Sequence, residues 1–284
     1  MISRRPCDPG YPRRLRDMRK PPDPLWISGD LPDDRLPTVG IVGTRRLTSY
    51  GARVARELAT ALAAAGAVVV SGLAQGIDST AHSAALDAAG LTVAVLGEGL
   101  AAFDELGPVL RRRLAARIAR SGAVVSEYGL DVRPADWTYP RRNATIAGLS
   151  DVLVVVEAPE TSGALITADR MRDLGRPVFL VPGPLGAPTW IGSNRYIAEG
   201  KGTLLVGAEP VAAVLGLRIG AAGRDPEAAD DASQLLAFLA ARATDADAIA
   251  AGLGIPPAEA TTLIAEQLIA GTIVATGDGR FARR

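Results

Sequence analysis

The chain has one cysteine and one histidine in 284 residues. Cys7 therefore has no partner for an internal disulfide, and a zinc site built from several Cys or His ligands is excluded. Such cysteine usage fits a reducing compartment. No sign of charge prevails either, because 31 basic and 31 acidic side chains cancel. A protein without a global field must hold any polyanion at a local site. No apolar run reaches the roughly 20 residues that a membrane helix needs, and residues 1–5 lack the apolar stretch of a secretory signal. The expectation is a soluble, cytoplasmic protein with no membrane partner. No internal repeat of solenoid length is present.

What is present is 48% hydrophobic residues, enough to fill one large core and a small one. Residues 1–37 are dense in proline, from Pro6, Pro9 and Pro12 through Pro21, Pro22, Pro24 and Pro32 to Pro37. That density breaks helices and central strands, so this stretch is expected to be an extended lead-in packing on the core. From Thr38, short Val/Ile/Leu runs alternate with Ala-rich helical stretches. The runs cover residues 39–43, 67–72, 91–97, 123–126, 152–157, 177–183 and 203–207. Nearly all-apolar runs of this length suit parallel strands covered on both faces, with crossover helices between them. Residues 38–217 are therefore expected to form an α/β, doubly wound, mostly parallel sheet. A Gly/Ala/Asp-rich linker is expected over 218–231. Beyond it, 233–241, 245–253 and 257–270 read as helices, Asp245 capping the second and Pro256 and Pro257 opening the third. With a terminal hairpin over 272–284, residues 232–284 are expected to be a winged helix.

In such a sheet ligands bind beyond the carboxyl ends of the strands, where glycine lets the backbone approach an anion. The first such loop is Gly43-Thr44-Arg45-Arg46, followed by Thr48, Ser49 and Tyr50. Glycine, hydroxyls and arginine are what a phosphate requires. A capped helix with solvated arginines would look the same, and spacing alone leaves both open. The second loop, from Ser71 and Gly72 through Gly76 to Asp78 and His82, makes an oxyanion cradle, with Asp78 placed to cap the helix. Lone His82 is expected to be structural. Tyr139-Pro140-Arg141-Arg142-Asn143 sets an aromatic face beside two guanidinium groups, which suits an unpaired base and its backbone. A buried tyrosine flanked by surface arginines is the plain alternative. Ser162-Gly163 and Gly192-Ser193-Asn194 add further glycine loops, and Arg111, Arg112, Arg113, Arg117 and Arg120 read as a solvated helix face.

Taken together, these loops resemble the signature of the DprA/Smf (DNA-processing protein A) family. The resemblance rests on Val42-Gly43-Thr44-Arg45, Ser71-Gly72-Leu73-Ala74, Gly76-Ile77-Asp78, Arg142-Asn143, Ile146-Ala147-Gly148-Leu149-Ser150, Ser162-Gly163, Pro182-Gly183 and Gly192-Ser193-Asn194, in that order. It implies a Rossmann-like domain that binds single-stranded DNA without catalysis and dimerises. It also implies help in loading RecA recombinase during natural transformation or homologous recombination, with no cofactor and no metal. Carried onto this chain, Gly43, Thr44 and Arg45 would contact phosphate. Ser71, Gly72 and Gly76 would line the pocket, and Tyr139, Arg141 and Arg142 would grip the strand, with Asn143, Ser162, Gly163 and Asn194 completing the site. The chain departs from many relatives at Gln75 and Ala144, where they carry arginine, which would weaken DNA binding.

Charge is distributed to match. Residues 1–56 hold twelve basic and six acidic side chains, which puts the positive field near the first glycine loop, whereas acidic residues outnumber basic ones from Glu227 onward. A basic face is what duplex binding by a winged helix would need, so a protein-contact or regulatory role is favoured there. The rival readings are a nucleoside-monophosphate hydrolase of a related Rossmann-like group and a nucleotide-binding sensor. The hydrolase loop Pro-Gly-Gly-x-Gly-Thr-x-x-Glu is replaced here by Glu157-Ala158-Pro159-Glu160-Thr161-Ser162-Gly163, without the double glycine.

Overall fold

A computed structural model describes residues 1–219, 235–236, 238–239, 244–269, 272–276 and 279–283. The chain divides into two compact units, Met1–Gly220 and Ala221–Arg284. In chain order the first contains β1 (Ile2–Arg4), α1 (Arg13–Arg16), β2 (Leu25–Gly29), β3 (Thr38–Val42), α2 (Ser49–Ala64), β4 (Val68–Ser71), α3 (Ile77–Asp87), β5 (Thr92–Leu96), α4 (Leu100–Leu106), α5 (Val109–Ser121) and β6 (Ala123–Ser126). It continues with α6 (Thr138–Leu149), β7 (Val152–Val155), α7 (Gly163–Asp173), β8 (Val178–Leu180), α8 (Ile191–Ala198), β9 (Thr203–Leu204) and α9 (Glu209–Val214).

One nine-stranded sheet runs β1-β2-β6-β5-β4-β3-β7-β8-β9. From β6 to β9 every pairing is parallel, and only β1 and β2 are antiparallel. Alternate side chains of each strand enter opposite layers. Val69, Val39 and Ile41 pack with Leu58 and Leu62 of α2 and Ile77 of α3, while Val68, Val70 and Val42 pack with Leu15 of α1, Ile146 of α6 and Leu165 of α7. Both faces are covered, which is why these strands are apolar throughout. The chain moves outward from β3 through β4, β5 and β6, then returns to lay β7 on the other side of β3. That reversal opens a crevice at the carboxyl ends of β3 and β7.

The proline-rich lead-in differs from its expectation as a merely extended segment, since it contributes two strands. Leu25–Gly29 contains no proline and hydrogen-bonds β1 on one side and β6 on the other. The prolines punctuate the lead-in around that strand rather than within it. Leu15 is fully buried, which contributes about 1.5–3 kcal/mol. Its neighbour Arg14 donates from Nε and Nη2 to the two carboxylate oxygens of Asp151, at 2.7 and 2.8 Å, just ahead of β7.

In the second unit α10 (Ala246–Leu253) is capped by Asp245, whose side chain accepts from the Ala248 amide at 2.8 Å. After α11 (Pro257–Ile269), β10 (Ile273–Ala275) and β11 (Phe281–Arg283) form an antiparallel hairpin. Of the expected helix over 233–241, Leu235, Leu236, Phe238 and Leu239 are helical, and Leu235 and Leu239 pack with Ile249 and Leu263. The remainder, and nearly all of the expected linker, lie outside the described residues. Among the described residues no single helix is long and apolar enough to cross a membrane.

Candidate functional site

The loops beyond β3, β4 and β7 enclose a cleft of about 260 Å³. Gly43, Thr44 and Arg45 come from the first loop, Ala74 and Asp78 from the second, Tyr139, Arg142 and Asn143 from α6, and Ser162, Gly163 and Thr167 from the start of α7.

The first loop is fastened by backbone. The Thr44 amide donates to the Glu157 carbonyl at 2.7 Å, and the Ile77 amide donates to the Thr44 carbonyl at 3.2 Å. Gly76 has φ +96°, and a Cβ there would overlap the Thr44 carbonyl and the Arg45 backbone. Gly76→Ala is accordingly expected to cost about 1–3 kcal/mol of stability and to shift the Gly43–Arg45 loop. Chemical denaturation checks the first effect; unchanged stability would mean that the close approach is not needed.

The second loop is clamped from three directions. Leu73 is a non-glycine residue at φ +53°, a left-handed conformation that costs about 1–2 kcal/mol. Arg142 Nη1 donates to the Gly72 carbonyl and, at 2.8 Å, to that of Val95. Arg111 Nε donates to the Leu73 carbonyl at 2.8 Å. Asp78 Oδ2 accepts from the Gly72 and Ala74 amides at 3.1 and 3.4 Å. Asp78 was expected to cap α3; it folds the loop back onto the helix instead, and the capping position, Gly76, offers no side chain. Burial pushes the Asp78 carboxyl up from the usual carboxylate range, against the opposing charge of Arg142 and the two amides. Arg111 also departs from the solvated face expected of it, since its Nη2 lies 3.6 Å from buried Glu98.

Arg142, expected as a strand-gripping cation, is only 5% exposed. Besides the two carbonyls, its Nε donates to Asn143 Oδ1 at 3.1 Å. It forms the floor of the cleft, with its donors turned into the protein. Asn143 in turn donates to the Gly163 carbonyl at 2.9 Å, tying α6 to α7. Ser162 caps α7 by accepting from the Ala164 amide at 3.2 Å, so the positive end of that helix faces the cleft.

Arg45 is the contrasting cation. It is exposed, it makes no ion pair among the described residues, and its Cζ lies 5.0 Å from the centroid of the Tyr139 ring. Tyr139 is half-buried and rests on Gly97, where a Cβ would come within 2.8 Å of its Cδ1. The arrangement presents a guanidinium, an aromatic ring and a helix N-terminus to one space.

Five of the expected positions are not brought into that space. Ser71 is fully buried and donates to the Ile41 carbonyl at 2.6 Å. Gly72 and Gly76 lie behind the lining, where they allow the close approaches described. Arg141 projects from another face of α6 and donates from Nε to Glu127 at 2.5 Å. Asn194 clamps Gly183, accepting from its amide at 3.0 Å and donating to its carbonyl at 3.1 Å. Helical periodicity separates the α6 residues: Tyr139, Arg142 and Asn143 stand at i, i+3 and i+4 on one face, and Arg141 does not. Ala74 and Thr167 line the cleft without having been expected there as contacts, although Ala74 belongs to the signature run Ser71-Gly72-Leu73-Ala74.

Residues 4–216 match the family model of DNA recombination-mediator protein A. Protein Smf of Synechocystis is 45% identical over 181 residues, covering 62% of this chain but only 45% of that relative's own length. Among solved structures, DNA processing protein A (DprA) of Streptococcus pneumoniae superposes with a TM-score of 0.68 at 36% identity, over 75% of this chain and 73% of that one. DNA processing protein A of Helicobacter pylori, whose structure describes its single-stranded DNA binding mode, superposes with a TM-score of 0.64 at 29% identity, over 72% and 92%.

Proposed function

The chain belongs to the DNA recombination-mediator protein A family, and from that premise we propose that its cleft binds single-stranded DNA. The observation that carries this reading is the free Arg45 guanidinium over the Tyr139 ring, opposite the N-terminus of α7. A phosphate fits between Arg45 and the helix end, and Tyr139 offers a base a stacking surface. The cellular role follows the family: protection of incoming or exposed strands and help in loading RecA recombinase, by a cytoplasmic homodimer, during natural transformation or recombination. The site is a binding site rather than a hydrolytic one. No carboxylate stands after Ser162-Gly163 where the nucleotide-cleaving loop would carry its glutamate, and Glu157 ahead of that loop is fully buried, its Oε2 accepting from the amide and hydroxyl of Thr48, each at 3.0 Å. For the acidic second unit, read as a winged helix, the role is contact with protein.

Titration of labelled oligothymidine at several salt concentrations tests the reading. Tyr139→Ala is expected to lose about 1–3 kcal/mol of affinity, and Arg45→Ala to reduce the salt slope by about 0.7, the share of one phosphate on a single strand. No binding at low salt, or tight salt-insensitive binding of a mononucleotide in its place, would replace DNA binding with the sensor reading.

A further inference from the structure

A second concavity lies against α6, in a groove of about 1020 Å³. It is lined by Arg19, Lys20, Trp137 and Arg141 among others, and shares no residue with the cleft. Its acidic groups are already engaged. Glu127 accepts from Arg141 Nε at 2.5 Å and from Thr145 Oγ1 at 2.9 Å, and Asp173 pairs with Arg170 at 3.3 Å. Arg19 and Lys20, by contrast, are exposed and make no ion pair among the described residues. Trp137 leaves 59% of its surface in solvent, an unusual exposure for the largest side chain, while its ring sits edge-on to Tyr128 at 5.7 Å. Unpaired cations sharing a groove with an exposed indole suit the backbone and bases of a single strand. The groove also adjoins the cleft, because Tyr139 on the cleft side and Pro140 and Arg141 on the groove side are consecutive in the first turn of α6.

We propose that single-stranded DNA leaving the cleft crosses the first turn of α6 and continues in this groove, with Arg19 and Lys20 on its phosphates and Trp137 against a base. This extension rests on the reading of the cleft as a DNA site. The test compares oligothymidines of about 4 and about 16 nucleotides, spanning the site sizes of single-strand binders, on the full chain and on its Arg19→Ala/Lys20→Ala variant. Both substituted side chains are exposed, so the fold is retained. The variant is expected to bind the short strand like the unmodified chain and to lose about 1.4 from the salt slope of the long one, the share of two phosphates. The long strand alone should quench tryptophan fluorescence, and Trp137→Phe should abolish that quench. Equal slopes for the long strand with and without the two substitutions would overturn the groove while leaving the cleft standing. Failure of the unmodified chain to bind either length would overturn both.

Discussion

Arg142→Ala is expected to destabilise the first unit by about 3–5 kcal/mol, the range for leaving a buried charge without compensation. Three donor contacts vanish at once, to the carbonyls of Gly72 and Val95 and to Asn143 Oδ1. Asp78 is left buried with no facing positive charge, and Leu73 loses one of the clamps that holds its left-handed backbone. Lysine does not replace arginine here, because one ammonium cannot span carbonyls of two strands and the amide of Asn143 with a fixed fork. Arg142→Lys should therefore recover only part of the loss. The mechanism is separable from general core damage by a double-mutant cycle with Asp78→Asn. If the Asp78 charge is what becomes costly, the two changes together should cost less than their sum by about 0.5–3 kcal/mol. Additive losses in urea denaturation would leave the three lost donor contacts and the cavity as the cause. The two cleft arginines should accordingly differ in binding signature. Arg45→Ala lowers the salt slope, whereas Arg142→Lys weakens binding with the slope kept, because its donors serve the loops and not the strand.

The contrast marks where the sequence is legible and where it is not. Six of the seven apolar runs read as strands because each is covered on both faces, a property that leaves its trace in the run itself, whereas the run over 203–207 yields only the two-residue edge strand β9, whose residues are exposed. Strand β2 left a weaker trace, since Leu25–Gly29 sits among prolines and pairs with strands distant in sequence. The glycine loop and the Tyr139 cluster were visible as chemistry, and helical spacing already groups Tyr139, Arg142 and Asn143 on one face. The direction of each guanidinium was not visible. Arg142 turns inward to the carbonyls of Gly72, just past β4, and of Val95 in β5, and Arg141 turns away to the buried carboxylate of Glu127. Those partners lie 14 to 70 residues away along the chain, beyond the reach of any local pattern. Ser71 shows the same limit: its hydroxyl reads as a phosphate ligand, yet the parallel neighbour β3 offers the Ile41 carbonyl nearer at hand.

His82 should make the stability of the first unit fall steeply in acid although the ring never touches the cleft. It is fully buried, with Nδ1 2.6 Å from Thr92 Oγ1, which itself donates to the Val69 carbonyl at 2.7 Å. The threonine proton being committed, the ring supplies the N–H at Nδ1. Burial pushes its pKa down to about 3 against the opposing effect of the Ser71 backbone, and the nearby Arg142 charge acts in the same direction as burial. An unfolded histidine titrates at about 6.5, so between those values the unfolded chain carries one proton more than the folded one. Stability then falls by about 1.4 kcal/mol for each pH unit below 6.5, or about 2–3 kcal/mol by pH 4.5. His82→Ala removes that dependence whatever it costs at neutral pH, so the gap in stability between the two proteins should narrow on acidification. A gap that stays constant from about pH 7 to about pH 4.5 would refute the depressed pKa. Because the chain holds no other histidine, its ring proton resonance is an unambiguous second witness, expected to stay flat where a solvated imidazole would titrate. DNA affinity should likewise show no histidine step near pH 6.5, since the one residue able to provide it is held neutral beneath the sheet.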